Sequence, residues 1–343
     1  MNKIVKTKKL EVKRTSVHDD NSIKPDHATK IFMDKPDIFA DAVNFAVYGG
    51  KQVIKPEELY SAPTVATSFV YNGDDVSISF EKIRDNRKVM KISPSDRTAY
   101  MVYGAENQMN SHYAMPVRNM LYDVMEYVSQ IETRKKTFSK SKDGNYKMLP
   151  EGEAYPTSEE FLSSWKKEDK LTPSVTIVVN FGDKKWDAPL SLHEMFDDSI
   201  QERNEVIRKF IPDYKILLID PHQMSEDDFK KMKSNLGKVL EVIADKGDAE
   251  KLKKHIDEET EFDRSDIMVI NSCTGVNVRL PEEGCTVKMS QGFVDLFNEK
   301  KEEGREEGRK EIIDVLRANG VSEELIQAAL KTMKEKHERE SQE

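Results

Sequence analysis

Residues 86–92 and 98–105 mix Val, Ile, Tyr and Met with polar side chains, and the five residues between them, Ser93 to Arg97, are turn formers. Two such runs joined by a turn predict an antiparallel pair of strands. A turn centred between Ser95 and Asp96 places Asp85 opposite Glu106, and opposed Cβ atoms in such a pair lie roughly 4.5 to 5.5 Å apart. Because side chains alternate along a strand, Asp85 should share a face with Arg87, and Glu106 with Gln108. Two carboxylates so close repel each other unless a cation lies between them. A hard cation such as Mg²⁺ or Mn²⁺ suits the pair, since it takes oxygen ligands and retains water that can become a nucleophile. Spacing alone still favours a plainer reading, in which both acids are ordinary solvated residues at strand ends and the register is free to slip.

Neighbouring segments predict helices and buried strands. Pro36 suits a first helical turn, Phe39, Ala42, Val43, Ala46 and Val47 repeat at helical spacing, and Gly49-Gly50 supplies the stop. Asp41 and Asn44 then fall off the apolar stripe. Pro116 opens a second amphipathic helix on which Val117, Met120, Leu121, Val124, Val128 and Ile131 form one face, while Arg118 and Tyr122 stand one turn apart on another. Residues 174–180 and 215–220 read as inner strands buried on both faces, and residues 190–210 as mostly helical. Residues 226–260 suggest two charged helices broken at Gly247-Asp248. His112, Trp186 and His193 read as loop or packing residues.

Three strings in the site region carry a family resemblance: residues 81–85 (Glu-Lys-Ile-Arg-Asp), 103–108 (Tyr-Gly-Ala-Glu-Asn-Gln) and 115–123 (Met-Pro-Val-Arg-Asn-Met-Leu-Tyr-Asp). Further segments at 39–44, 173–193 and 210–214 follow in consistent order, so the likeness runs over roughly residues 35–312. In these the chain resembles the recombination-promoting nuclease / putative transposase family, a branch of the PD-(D/E)XK nuclease superfamily. The resemblance implies an α/β fold with a restriction-endonuclease-like core sheet flanked by helices and a C-terminal helical extension. It also implies a metal-dependent DNA endonuclease linked to recombination or mobile elements. In that frame Asp85, Glu106 and Gln108 are catalytic, and Asp41 joins Asp85 and Glu106 in holding Mg²⁺ or Mn²⁺. Gln108 stands where the superfamily usually has lysine, and a neutral amide can hydrogen-bond but cannot offset charge on a phosphate. Arg87, Arg118 and Tyr122 are the candidates for binding phosphate. The alternative is an inactive DNA-binding or protein-interaction module on the same fold.

Charge qualifies the DNA expectation. The formal net charge is -9, yet residues 80–150 hold 13 Lys plus Arg against 8 Asp plus Glu, which fits weak, salt-sensitive contact with DNA. With 34% charged and 37% hydrophobic residues, the chain of 343 should build one moderate core. The organisation expected is a basic, disordered arm over 1–30, the nuclease-like core over 31–225, a helical extension over 226–299, and a charged linker with short helices over 300–343 that could pair copies of the chain. No run approaches the roughly 18 apolar residues of a membrane span, so a cytoplasmic protein is expected. Cys273 and Cys285 show no zinc spacing.

Overall fold

The computed structural model describes residues 23–62, 65–72, 76–91, 101–138, 144, 149–150, 152–197, 199, 201–245, 260–276 and 278–288, with backbone alone for 65–72, 76–83 and 201–204. Two helices open it, α1 (Pro25–Asp34) and α2 (Pro36–Tyr48). Each carries proline in its first turn, where the missing N–H has no intrahelical role. Helix α2 ends at Gly49, whose φ of 63° is a left-handed conformation that glycine adopts without strain. Its extent matches the periodicity of the sequence.

Strands β1 (Leu59–Ser61), β4 (Asn86–Met90), β5 (Met101–Gln108), β6 (Ser174–Asn180) and β7 (Leu217–Ile219) form one mixed sheet in the order β1-β4-β5-β6-β7. The first three are antiparallel and the last three parallel. Helix α3 (Met115–Thr137) is the crossover that parallel β5 and β6 require. Between β1 and β4 an antiparallel pair, β2 (Val65–Asn72) and β3 (Val76–Ile83), is inserted as a separate sheet that the sequence reading did not foresee. The protein is therefore α/β, with helices flanking a five-stranded sheet.

Pairing of β4 with β5 runs from Asn86 opposite Ala105 to Met90 opposite Met101. Continued one step, this register sets Asp85 against Glu106, as the placement of the turn required. The turn at 93–97 lies outside the described residues. Strand β6 is an inner strand as expected, but β7 is the last strand of the sheet rather than an inner one. The stretch 190–210 is helical only in part, with a short 3₁₀ turn at His193–Met195 and α5 (Gln201–Arg208).

The two faces of the sheet are unlike. Tyr103, Ala105, Ile177, Val179 and Ile219 pack against Phe32, Phe39 and Val43 of the first two helices. They join Leu236, Val239, Leu240 and Ile243 of α7 (Asn235–Ala244), together with Ile267 and Ile270 of α8 (Arg264–Thr274). Helix α6 (Glu226–Lys231) packs Phe229 against this cluster, the short helix α4 (Ser158–Ser163) adds no residue to it, and β8 (Glu261–Asp263) pairs with β9 (Thr286–Lys288). Among the described residues the opposite face carries a small apolar cluster around Met115, Val178 and Trp186. Most of what it buries is polar.

Two expectations change here. Residues 25–30 are helix, and Ala28 and Thr29 are buried, so the arm expected over 1–30 cannot extend that far. The apolar cluster does not stop at residue 225, since α7 and α8 complete the core that α1 and α2 begin. Helices α6 and α7 are separated at 232–234, while the break expected at Gly247-Asp248 and residues 289–343 lie outside the described residues. No helix among the described residues is long and apolar enough to cross a membrane.

Candidate active site

Asp85 sits at a bend just before β4, and its Oδ2 accepts a hydrogen bond of 2.8 Å from the backbone N–H of Asn107. Glu106, on β5, is fully buried at 0% exposure. Neither of its carboxylate oxygens meets a donor in well-aligned hydrogen-bond geometry, although Nη2 of Arg118 stands 2.8 Å from Oε2 and the backbone N–H of Asp85 also favours the charged form. The contact with Arg118 is thus an ion pair without hydrogen-bond alignment. Burial and the neighbouring charge of Asp85 push the Glu106 carboxyl up to about 7, against the pull of Arg118 and Arg84. Burial also raises the Asp85 carboxyl, opposed by the Asn107 N–H, Arg118 and Lys30, and Asp26 pushes in the same direction as burial.

The surrounding side chains divide into two groups. Arg118 and Tyr122 reach the site together, with Nε of Arg118 donating to the Tyr122 hydroxyl at 3.1 Å. Tyr122 is buried, so its part is to aim Arg118 rather than to meet a ligand. Gln108 closes β5 half-buried, and its side-chain amide makes no hydrogen bond among the described residues, while its carbonyl accepts from Phe181 N–H. An uncommitted amide beside Glu106 can orient water or a phosphate oxygen.

Two expected site residues are engaged elsewhere. Asp41 is buried in α2, where Oδ2 accepts from the N–H groups of Lys233 and Ser234 and from the Ser234 hydroxyl, and Oδ1 accepts from Gln52. Those donors belong to the turn between α6 and α7, so Asp41 holds that turn with both carboxylate oxygens engaged. Arg87 forms a bidentate pair with Glu126 of α3, with contacts of 3.0 to 3.1 Å, and is held as an internal tie instead of a phosphate contact. The expected shared face of Asp85 and Arg87 fails for a related reason. Arg84 and Arg87, three residues apart, both reach α3, which strict alternation forbids, and the bend at Asp85 resolves the conflict.

Beneath the carboxylates lies a polar clamp that sequence reading missed. Asp123 of α3 accepts from Arg84 at 3.1 Å, Ser174 at 2.9 Å and Thr176 at 3.0 Å, and its other oxygen accepts from the Tyr214 hydroxyl. Arg84 crosses β5 directly over Gly104, where an added Cβ would come within 3.0 Å of its side chain. A side chain at 104 would press on the buried Arg84, which would have to give by a few tenths of an ångström to admit it. Asp26 and Lys30, one turn apart on α1, complete the set of charges that act on Asp85. The visible signal for them was Pro25 followed by Ala28, Ile31 and Phe32 at helical spacing, a pattern that crosses the boundary at residue 30 between the expected arm and the core.

Among the described residues no group of three or more His, Cys, Asp or Glu is placed to hold a metal. Asp85 and Glu106 are a two-carboxylate set. That still fits Mg²⁺ or Mn²⁺, because Mg²⁺ usually binds through one or two carboxylates and fills its other positions with water and phosphate oxygens. The feature that fits a cation is the fully buried Glu106 carboxyl beside Asp85, which lacks a well-aligned side-chain hydrogen bond and has Arg118 as its ion-pair partner, since a buried carboxylate so poorly satisfied is otherwise costly.

Residues 157–266 match the family model described as "Putative transposase, YhgA-like". The match supports the transposase family expected from the sequence. No curated protein and no solved structure matches the chain. The YhgA-like segment covers about a third of the chain, and Asp85, Glu106, Gln108 and Arg118 all precede it. It supplies β6 and β7 and the Ser174, Thr176 and Tyr214 hydroxyls of the clamp, so the YhgA-like part carries the support on which the site strands rest.

Proposed function

We propose that the protein is a metal-dependent DNA endonuclease on a restriction-endonuclease-like core. The observation that carries this reading is a fully buried Glu106 carboxyl that faces Asp85 across adjacent strands and has no well-aligned side-chain hydrogen bond, with Arg118 as its ion-pair partner. A mixed sheet with helices on both faces supports it, as does the transposase description of the matching family, which agrees with a DNA-cutting protein of mobile elements. Bound there, Mg²⁺ would polarise a phosphate oxygen and acidify a water. The chain's own residues have distinct parts. Asp85, held by the Asn107 N–H, and Glu106 present the oxygens. Gln108 hydrogen-bonds the attacking water or a phosphate oxygen. Arg118, aimed by Tyr122, neutralises Glu106 before a cation arrives and turns to the phosphate once it has.

Supercoiled plasmid incubated with the purified chain and Mg²⁺ should become nicked, and Asp85→Ala or Glu106→Ala should abolish nicking. Nicking that survives both substitutions sinks the assignment. The ion pair between Arg118 and Glu106 favours one other reading, an inactive DNA-binding or protein-interaction module in which that pair is a permanent structural contact. A calorimetric titration separates the two, because only the enzyme takes up Mg²⁺ through Asp85 and Glu106.

A further inference from the structure

The side of α3 turned to the sheet carries a side chain with no part in the site as described so far. Met115, Asn119 and Asp123 recur every fourth residue, so they stand one above another along that side, about 6 Å apart. All three are buried. The contacts of the outer two show which strand residues lie beneath. Met115 packs with Val178 and Trp186, and Asp123 accepts from Ser174 and Thr176. In the parallel pairing of β5 with β6, Val178 stands beside Glu106 and Thr176 beside Gly104. Paired residues present their side chains to the same face, so Glu106 points toward α3, and Asn119 lies over the stretch between Glu106 and Gly104. Arg118, the residue before it, already reaches the Glu106 carboxylate.

Asn119 is 0% exposed, and neither its Nδ2 nor its Oδ1 has a hydrogen-bond partner among the described residues. A buried amide that makes none of its hydrogen bonds is costly, and a leucine would fill the same place without that cost. Two groups on this face are unsatisfied in complementary ways. Nη1 of Arg84, which stands over Gly104, is a donor without an acceptor, and the Glu106 carboxylate has no well-aligned donor. Between them asparagine is the matching residue, since its oxygen accepts and its nitrogen donates.

We propose that Asn119 is a positioning residue for Glu106: when metal arrives and Arg118 turns to the phosphate, Nδ2 of Asn119 donates to the carboxylate that Arg118 has released, and Oδ1 accepts from Nη1 of Arg84. The inference rests on the nuclease reading. Carboxylates that bind metal are themselves held by hydrogen bonds, which fix the direction in which they present their oxygens. Before metal arrives the ion pair with Arg118 holds Glu106, and afterwards the amide does. Arg118 is thereby released to DNA without leaving a buried carboxylate poorly held. Asn119 itself touches neither metal nor phosphate, and no proton moves through it.

The test uses the full chain, wild type against Asn119→Leu, Asn119→Ala and Asp85→Ala. Three quantities are read: melting temperature in a chelator and in Mg²⁺, heat of Mg²⁺ binding without DNA, and nicking of supercoiled plasmid over a range of Mg²⁺ concentrations. Asn119→Leu keeps the branched shape and gives up an amide that is idle without metal, so in the chelator it should melt no lower than wild type. Its Mg²⁺ affinity should fall by about 10- to 100-fold, the scale for losing an outer partner of a metal ligand. In Mg²⁺ it should then melt below wild type, and nicking should need correspondingly more Mg²⁺ while approaching the wild-type rate at saturation. Asn119→Ala, which asks no new atoms to fit, should lose Mg²⁺ affinity by a similar factor. Asp85→Ala should give no heat, which assigns the heat to this site.

Wild-type Mg²⁺ affinity in folded Asn119→Leu or Asn119→Ala, beside an inert Asp85→Ala, would overturn the role of Asn119 and leave the nuclease intact. Variants whose melting falls equally in chelator and in Mg²⁺ would overturn it as well, since the amide would then serve the fold alone. A wild-type chain that neither binds Mg²⁺ nor nicks DNA removes the nuclease reading, and the role of Asn119 with it.

Discussion

Glu106 is both a buried charge and a proposed ligand, and those roles have opposite effects on stability. Its carboxyl lies at about 7 in the folded protein against an ordinary value of 4.5, so between these pH values the folded chain holds more protons than the unfolded one. Stability without metal is then greatest below the ordinary value and falls as pH rises through that window, by up to about 3 kcal/mol. Glu106→Gln should flatten this dependence and melt higher than wild type at pH 8 in a chelator; a variant less stable than wild type there would contradict the buried-charge account. Mg²⁺ should reverse the order, raising the melting temperature of wild type at pH 8 and leaving Glu106→Gln unmoved. Neighbouring residues follow the same logic on a smaller scale. Arg118 sits against Glu106 because an uncompensated buried carboxylate is unfavourable, and Tyr122 fixes the direction of Arg118.

Among the elements, α2 and α3 serve the site indirectly. Asp41 in α2 satisfies two backbone N–H groups and a hydroxyl of the turn that starts α7. Asp41→Ala should therefore cost about 2 to 4 kcal/mol in denaturant unfolding, since it strands several buried donors, while Mg²⁺ affinity stays at the wild-type value. A loss of metal binding in a folded Asp41→Ala would restore Asp41 as a ligand. Helix α3 is anchored by Asp123, whose partners come from the bend before β4, from β6 and from Tyr214 ahead of β7. Asp123→Ala removes one partner of a buried ion pair and leaves Arg84 unpaired, which should cost about 3 to 5 kcal/mol. Replacing the pair together, Asp123→Leu with Arg84→Met, should recover much of that, and a double variant as unstable as the single would show that geometry rather than charge governs the clamp.

For the whole molecule, the core joins the ends of the described chain. Phe32, Phe39 and Val43 from the N-terminal helices pack with Leu240, Phe262, Ile267 and Ile270, more than 190 positions later in the sequence. A chain truncated after residue 225 should lose cooperative unfolding and expose apolar surface to dye, because the face of α1 and α2 would have nothing to cover it; a truncation that melts cooperatively would show that the sheet and first helices suffice. Charge is arranged on the same scale. The local excess of basic residues over 80–150 is partly spent on internal pairs, with Arg84, Arg87 and Lys88 bound to acids and Arg134 tied to Glu153 and Asp169. Counting charges along the chain therefore overstates what DNA could meet. The extent of α2, strand β6, and the opposition of Asp85 to Glu106 were legible in the sequence. These depend on local periodicity and on one short turn, which act over a few residues and need no distant partner. Whether Asp41 lies near the carboxylates, whether Arg87 is free or tied to Glu126, and whether residues 25–30 belong to an arm or to a helix packed on the sheet could not be read there. Each depends on which helix packs where and which charges find partners in doing so, and that is decided by the burial of surfaces far apart in the chain.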